Sequence, residues 1–176
     1  MVWTYWFERF IYWQFFKWEG KKNAEQMMKE YDWRPSKKPF ERTYRNFSNL
    51  DNRYSNGVSD LLKFVKFGYG RCTDHATKDI RNKHINRDQG IELVKKYDHV
   101  VSGDLQHWLE YVNMSKQSFW ETADKFRDPR VWTIKNRQWY KDNIWGGESA
   151  YGDVYLNDEK INEFNEKKKK LHNRKI

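Results

Sequence analysis

The densest group of residues able to do chemistry is Lys66-Phe67-Gly68-Tyr69-Gly70-Arg71, followed by Thr73, Asp74 and His75. Lys66 offers a point charge and Arg71 a planar fork of donors, both suited to phosphate or carboxylate. Gly68 and Gly70 let the backbone turn and approach a ligand closely. A helix opening near Thr73 adds backbone N–H groups and the positive end of its dipole. Lys66, Gly68, Gly70, Arg71, Thr73 and Asp74 thus form a candidate anion site between two helices. A plain helix–helix turn with solvated charges would use the same residue types.

Other constellations carry less. Cys72-x-x-His75 has the spacing of a metal pair, but no second pair of ligands lies near it in sequence, and zinc needs three or four. His84, His99, His107 and His172 are scattered, with no nucleophile–base arrangement. Phosphate-loop, Rossmann and nucleophile-elbow patterns do not occur in the sequence. Phe126-Arg127-Asp128-Pro129-Arg130-Val131-Trp132 centres on an Asp-Pro turn with two arginines placed to pair locally. It reads as a clip fixing a helix against the residues that lead to Lys141-Asp142-Asn143-Ile144-Trp145.

The elements that must position these residues are mostly short helices. Trp3, Phe7, Phe10, Ile11 and Phe15 recur at helical spacing, and Trp6, Trp13 and Phe16 make that helix apolar almost all round. A second helix runs from Gly20 to about Trp33 with Ala24, Met27, Met28 and Tyr31 inward. Pro35 and Pro39 then open a polar loop over 34–56. A helix from Val58, with Leu61, Leu62, Phe64 and Val65, ends at Gly68. Thr73 caps a helix through Ile80, and Asn86 with Gln89 forms a capping box ahead of Ile91 and Val94. Ser102 or Asp104 opens a helix bearing Leu105, Trp108, Leu109 and Val112. Ser115 opens another with Phe119, Trp120 and Phe126, stopped by Pro129. Residues 131–140 alternate around Lys135-Asn136-Arg137 as a small β-hairpin. A charged, fraying helix follows Asn157, and Lys167 to Lys170 read as its solvated end. The fold class is mainly α with one small hairpin.

Composition narrows the function classes. The chain has 176 residues, 38% of them hydrophobic and 18% aromatic, with ten tryptophans. Large flat side chains can support a core where aliphatics are few. The net charge of +9 invites a nucleic-acid reading, yet residues 72–145 carry 13 Lys/Arg against 11 Asp/Glu. That is too even for a phosphate-driven interface. The single cysteine, Cys72, excludes a disulfide framework and suits the cytoplasm. The segment after Met1 has neither the form of a signal peptide nor the length of a membrane span.

An ordered set of motifs resembles a known family. Leu62 through Arg71, Thr73-Asp74-His75-Ala76, Asp79-Ile80-Arg81, Arg87 through Val94 and Lys96-Tyr97-Asp98 are similar to the C-terminal half of the N-acetyl sugar amidotransferases. The likeness continues through Leu109-Glu110-Tyr111, Phe119-Trp120 and Phe126-Arg127-Asp128-Pro129 to Trp145, and upstream to Phe16-Lys17-Trp18, Thr43-Tyr44 and Leu50-Asp51-Asn52. It covers about residues 12–145. It implies the C-terminal part of an α/β pyrophosphatase-loop enzyme that converts a sugar N-acetyl group to acetamidino in surface-polysaccharide synthesis. It also implies ATP and magnesium for the full-length enzyme, a nucleotide-sugar substrate, and ammonia from a glutaminase–cyclase pair. The family's Ser-Gly-Gly-x-Asp-Ser loop and its paired cysteines do not occur here. Residues 1–145 thus read as the C-terminal portion of such an enzyme, without its nucleotide-binding half, and 146–176 as a charged extension. No cofactor is expected on this chain alone, and Lys66, Gly68, Gly70, Arg71, Thr73 and Asp74 are carried over as contacts to phosphate. A basic helical nucleic-acid module or a protein-interaction piece are the competing classes.

Overall fold

A computed structural model describes residues 19–47 and 55–173, which belong to two compact units, Met1–Lys37 and Lys38–Ile176. The expected apolar helix over Trp3–Phe16 lies outside the described residues. In the first unit, α1 (Gly20–Tyr31) ends at Asp32, whose left-handed backbone (φ 48°) closes the last turn onto Met27 O. Ala24 is buried as expected, but Met27, Met28 and Tyr31 are exposed. Helical spacing gave them one face, yet none of the three described apolar clusters includes α1.

The second unit is helical with one small sheet: α2 (Asn56–Phe67), α3 (Arg71–Arg81), α4 (Arg87–Tyr97), α5 (Asp104–Tyr111), α6 (Lys116–Asp124), β1 (Trp132–Lys135), β2 (Gln138–Asp142), β3 (Glu148–Asp153) and α7 (Asp158–Asn173). The local signals worked where a side chain caps its own helix. Asn86 accepts from Gln89 N at 2.8 Å, and Gln89 returns the bond to Asn86 N at 2.9 Å. Ser115 accepts from Ser118 N at 3.1 Å. Thr73 is a correction: the cap lies three residues earlier, at Gly70, and Thr73 sits in the first turn.

The hairpin forms with Trp132 opposite Lys141 and Lys135 opposite Gln138. Its two-residue turn, Asn136-Arg137, has φ of 49° and 56°, the mirror-image turn that matches strand twist. A third antiparallel strand, β3, adds to β2; its alternation is broken by glycine and exposed polar residues, so the sequence pattern is weak.

Apolar packing is divided. Val58, Leu61, Val65, Leu105, Leu109, Phe119 and Ala123 join α2, α5 and α6. Phe64, Trp132, Trp139, Val154, Leu156 and Phe164 join α2, the sheet and α7. Cys72, Ala76 and Val94 join α3 to α4. Phe64 and Leu61 lie on one helix yet serve two cores, which makes α2 the common strut. Within the expected 34–56 loop, residues 38–47 are anchored by polar groups: Arg42 and Thr43 are buried, Arg42 Nη2 donates to Asp98 O at 2.5 Å, and Nη1 donates to Val100 O.

Residues 146–173, set apart by composition, supply β3 and α7 to this same unit. Lys168 is another correction. It is not solvated: its Nζ donates to Trp132 O at 2.7 Å, Thr133 Oγ1 at 2.8 Å and Pro129 O at 3.2 Å. Those carbonyls and the hydroxyl lie far away in sequence, so a lysine run gave no hint of them.

Candidate functional site

Gly68 ends α2 with φ 74° and a bond from its N–H to Phe64 O of 2.7 Å. A Cβ there would stand 2.5 Å from Val131 Cγ1 and 3.3 Å from Lys141 Cδ, so glycine is required by conformation and by space. Gly70 has extended backbone, and its reason is close approach: a Cβ would meet Asp98 Oδ1 at 2.9 Å. That contact shows what the turn is built around.

The Asp98 carboxylate accepts from Gly70 N at 2.8 Å, Thr73 N at 3.1 Å and Thr73 Oγ1 at 2.7 Å. The N-terminus of α3 does gather an anion, as its amides and dipole dictate, and the anion is the chain's own. Asp98 caps α3 from the end of α4. Arg71 is turned toward Asp60, with Nε to Oδ1 at 2.9 Å, and Asp74 pairs with Lys63. Lys66 is exposed, its Nζ 5.0 Å from the Phe67 ring centroid. Of the six candidates, the turn holds Gly68, Gly70 and Thr73 together on one face. Arg71 and Asp74 go to separate ion pairs, and Lys66 faces solvent.

Behind the turn is a small cavity of about 50 Å³ lined by Gly68, Tyr69, Thr73, Asp98, His99, Lys141, Trp145 and Tyr151, with Phe64, Val94 and Ile144. Two of its polar groups were missed. Asp98 left a signal: an acid at the C-terminal end of a helix opposes the dipole and needs a partner elsewhere. Lys141 left another. It shares the inward face of β2 with Trp139, a core position where a cation is out of place. Lys141 is 9% exposed. Its Nζ donates to Asp142 O at 3.1 Å and lies 5.1 Å from the Tyr151 ring centroid. Burial pulls its pKa below the usual lysine value, with Asp98 and Asp142 pulling weakly the other way. Burial also lowers the pKa of His99, and the positive charge of Arg42 adds to that. The Tyr151 hydroxyl donates to Asn143 Oδ1, and burial raises its pKa.

Beside this junction is a closed polar cluster. His75 Nδ1 and Thr43 Oγ1 are 2.7 Å apart, while Tyr44 and Arg45 both bond Asp79. Burial, with Arg45, Arg71 and Lys78 nearby, lowers the His75 pKa to about 3. The neighbouring Cys72 thiol is buried and pushed up to about 12, chiefly by desolvation. An imidazole engaged by threonine and an inert thiol describe packing at this pair.

The fold and cavity define a small, mainly helical domain in which one helix end, one strand end and an aromatic fringe enclose a lysine. Among its described residues no helix is long and apolar enough to cross a membrane. The chain belongs to a family of lipopolysaccharide (LPS) biosynthesis proteins: the family described as LPS biosynthesis protein WbpG-like, C-terminal domain, matches residues 41–144. No curated protein matches the chain.

Proposed function

We propose that this chain is the C-terminal portion of an ATP-dependent N-acetyl sugar amidotransferase acting in lipopolysaccharide synthesis. The observation that carries the reading is the family match over 41–144, which spans the turn, the cavity lining apart from Trp145 and Tyr151, and the motifs of the resemblance from Thr43-Tyr44 to Phe126-Arg127-Asp128-Pro129. In this reading a partner region supplies the phosphate-binding loop, ATP and magnesium. The Gly68–Asp74 segment meets a phosphate of ATP or of a nucleotide-sugar. Its bond pattern sorts the roles: Gly68, Gly70 and Thr73 shape the turn around Asp98, Asp74 steadies Lys63, and Lys66 with the outer edge of Arg71 faces the ligand. A planar guanidinium already fixed by Asp60 is pre-oriented for a second oxyanion.

The test is a titration of the chain with ATP and with a UDP-sugar, followed by NMR shifts. Arg71→Ala is expected to abolish binding, Arg71→Lys to restore it in part, and Lys66→Ala to weaken it less. Shifts confined to the tail lysines would remove the site. ATP-to-AMP turnover by the chain alone is expected to be nil, because the adenylation loop is absent from its sequence.

A further inference from the structure

The cavity behind the turn has a charge pattern that the phosphate contacts proposed above do not use. Three groups set it. Asp98 is buried, and its carboxylate accepts from two amides and a hydroxyl at the start of α3. Arg42 is buried beside it and donates to two backbone oxygens. Lys141 is buried on the opposite wall with three hydrogens and a single described acceptor, the Asp142 carbonyl. Of the two charged residues that line the cavity, Asp98 is fully engaged at the helix start and Lys141 is the one whose hydrogens are not all accepted. The ammonium keeps donor capacity unused, and an unused donor in a desolvated place is costly. Long-range attraction from Asp98 and Asp142 is too weak to offset burial, and the lowered pKa of Lys141 reports that shortfall.

We infer that the cavity is a subsite for one small oxyanion, a carboxylate or a phosphoryl group, which accepts the hydrogens that Lys141 leaves unused. The size fits a single substituent and nothing larger. Whole-ligand pockets measure roughly 300–1,000 Å³, against about 50 Å³ here. The mouth carries Tyr69, Ile144 and Trp145, with Tyr69 and Ile144 well exposed, so the body bearing the oxyanion lies outside against flat apolar surface. His99 also lines the cavity; burial and Arg42 lower its pKa, and its ring is hydrogen-bonded to the Lys95 backbone. The site is separate from Lys66 and Arg71, and it does not depend on the amidotransferase reading.

Inorganic phosphate and acetate, titrated in turn into the isotope-labelled full chain, separate the two oxyanion sources. The signals of Gly68, His99 and the Trp145 indole are expected to move, and the more potent titrant identifies the source. Lys141→Met keeps the stem that packs on Gly68 and removes the charge, so it is expected to weaken binding at least about tenfold. Lys167→Ala, at an exposed tail residue, should leave it unchanged, which distinguishes this site from general attraction of anions to a basic surface. A second readout needs no variant: phosphate or acetate should slow acetylation of Lys141 by an activated ester, read by mass spectrometry, and leave Lys125 unaffected. Shifts that persist in a folded Lys141→Met protein, or protection equal at all lysines, would overturn the assignment.

Discussion

Two buried aspartates, Asp98 and Asp124, solve the same physical problem in different ways. Asp124 is fully buried and faces a cation directly: Arg127 Nε donates to its Oδ1 at 2.8 Å, and Tyr155 N donates to its Oδ2 at 2.9 Å. The Arg127 guanidinium lies between two indoles, 4.2 Å from the Trp132 centroid and 4.7 Å from that of Trp139. Charge meets charge, and the guanidinium face is covered by rings, although Arg127 Nη1 has no hydrogen-bond partner. Asp98 is met instead by neutral donors at a helix start, while its compensating cations stand off. Direct pairing holds the cation against its counter-charge; pairing with dipoles leaves Lys141 beside an open cavity. The first arrangement reads as architecture, the second as a place where something binds.

The sharpest break of the comparison is Asp124→Ala. It strands Arg127 without a counter-charge inside the aromatic core, and should cost about 3–5 kcal/mol in a denaturant titration. Asp98→Asn should cost less, about 1.5–3 kcal/mol, because the amide oxygen still accepts while the charge and one acceptor are lost. Equal costs would mean that the two carboxylates are held by equivalent means.

Acid should act most strongly on one region. His75 titrates near 6.5 unfolded and at about 3 folded, so the folded state favours the neutral ring. Its contribution is complete above pH 6.5 and is lost as pH falls toward 3. Between pH 6.5 and 4.5 this amounts to about 2–3 kcal/mol. Urea titrations at the two pH values should show that loss, and His75→Gln should flatten it. Residue-level hydrogen exchange should place the loosening around α3, not around Trp132 and Trp139. The smallest effect is expected at the tail. Lys168→Ala removes three bonds and should cost about 1–2 kcal/mol, whereas the exposed Lys167→Ala should change thermal stability by no more than about 0.5 kcal/mol.

What could be read from the sequence was what neighbours decide. The capping box at Asn86, the glycine stop at Gly68 and the hairpin at Asn136-Arg137 each depend on a few adjacent residues, and each is present. Asp98, Arg42 and Lys168 act on atoms tens of residues away, so spacing was silent about them. The anion reading of the Gly70 turn was right in its physics: amides and dipole do collect negative charge there. Its occupant could not be seen, since nothing in the local sequence brings the end of α4 to the start of α3. Met27, Met28 and Tyr31 teach the converse, because a shared helical face says nothing of whether a second surface covers it.

The Trp132–Trp139 pair has a consequence for how this domain can be divided. Both rings are sealed with the help of Val154, Leu156 and Phe164, all beyond residue 144, where the family match ends. A chain stopped at that boundary would present two indoles and the Arg127 cation to water, along with the open edge of β2. Such a strand edge pairs readily with another copy. The unit that can be moved intact between proteins, by recombination or by design, therefore reaches to the end of α7, about thirty residues past the family match.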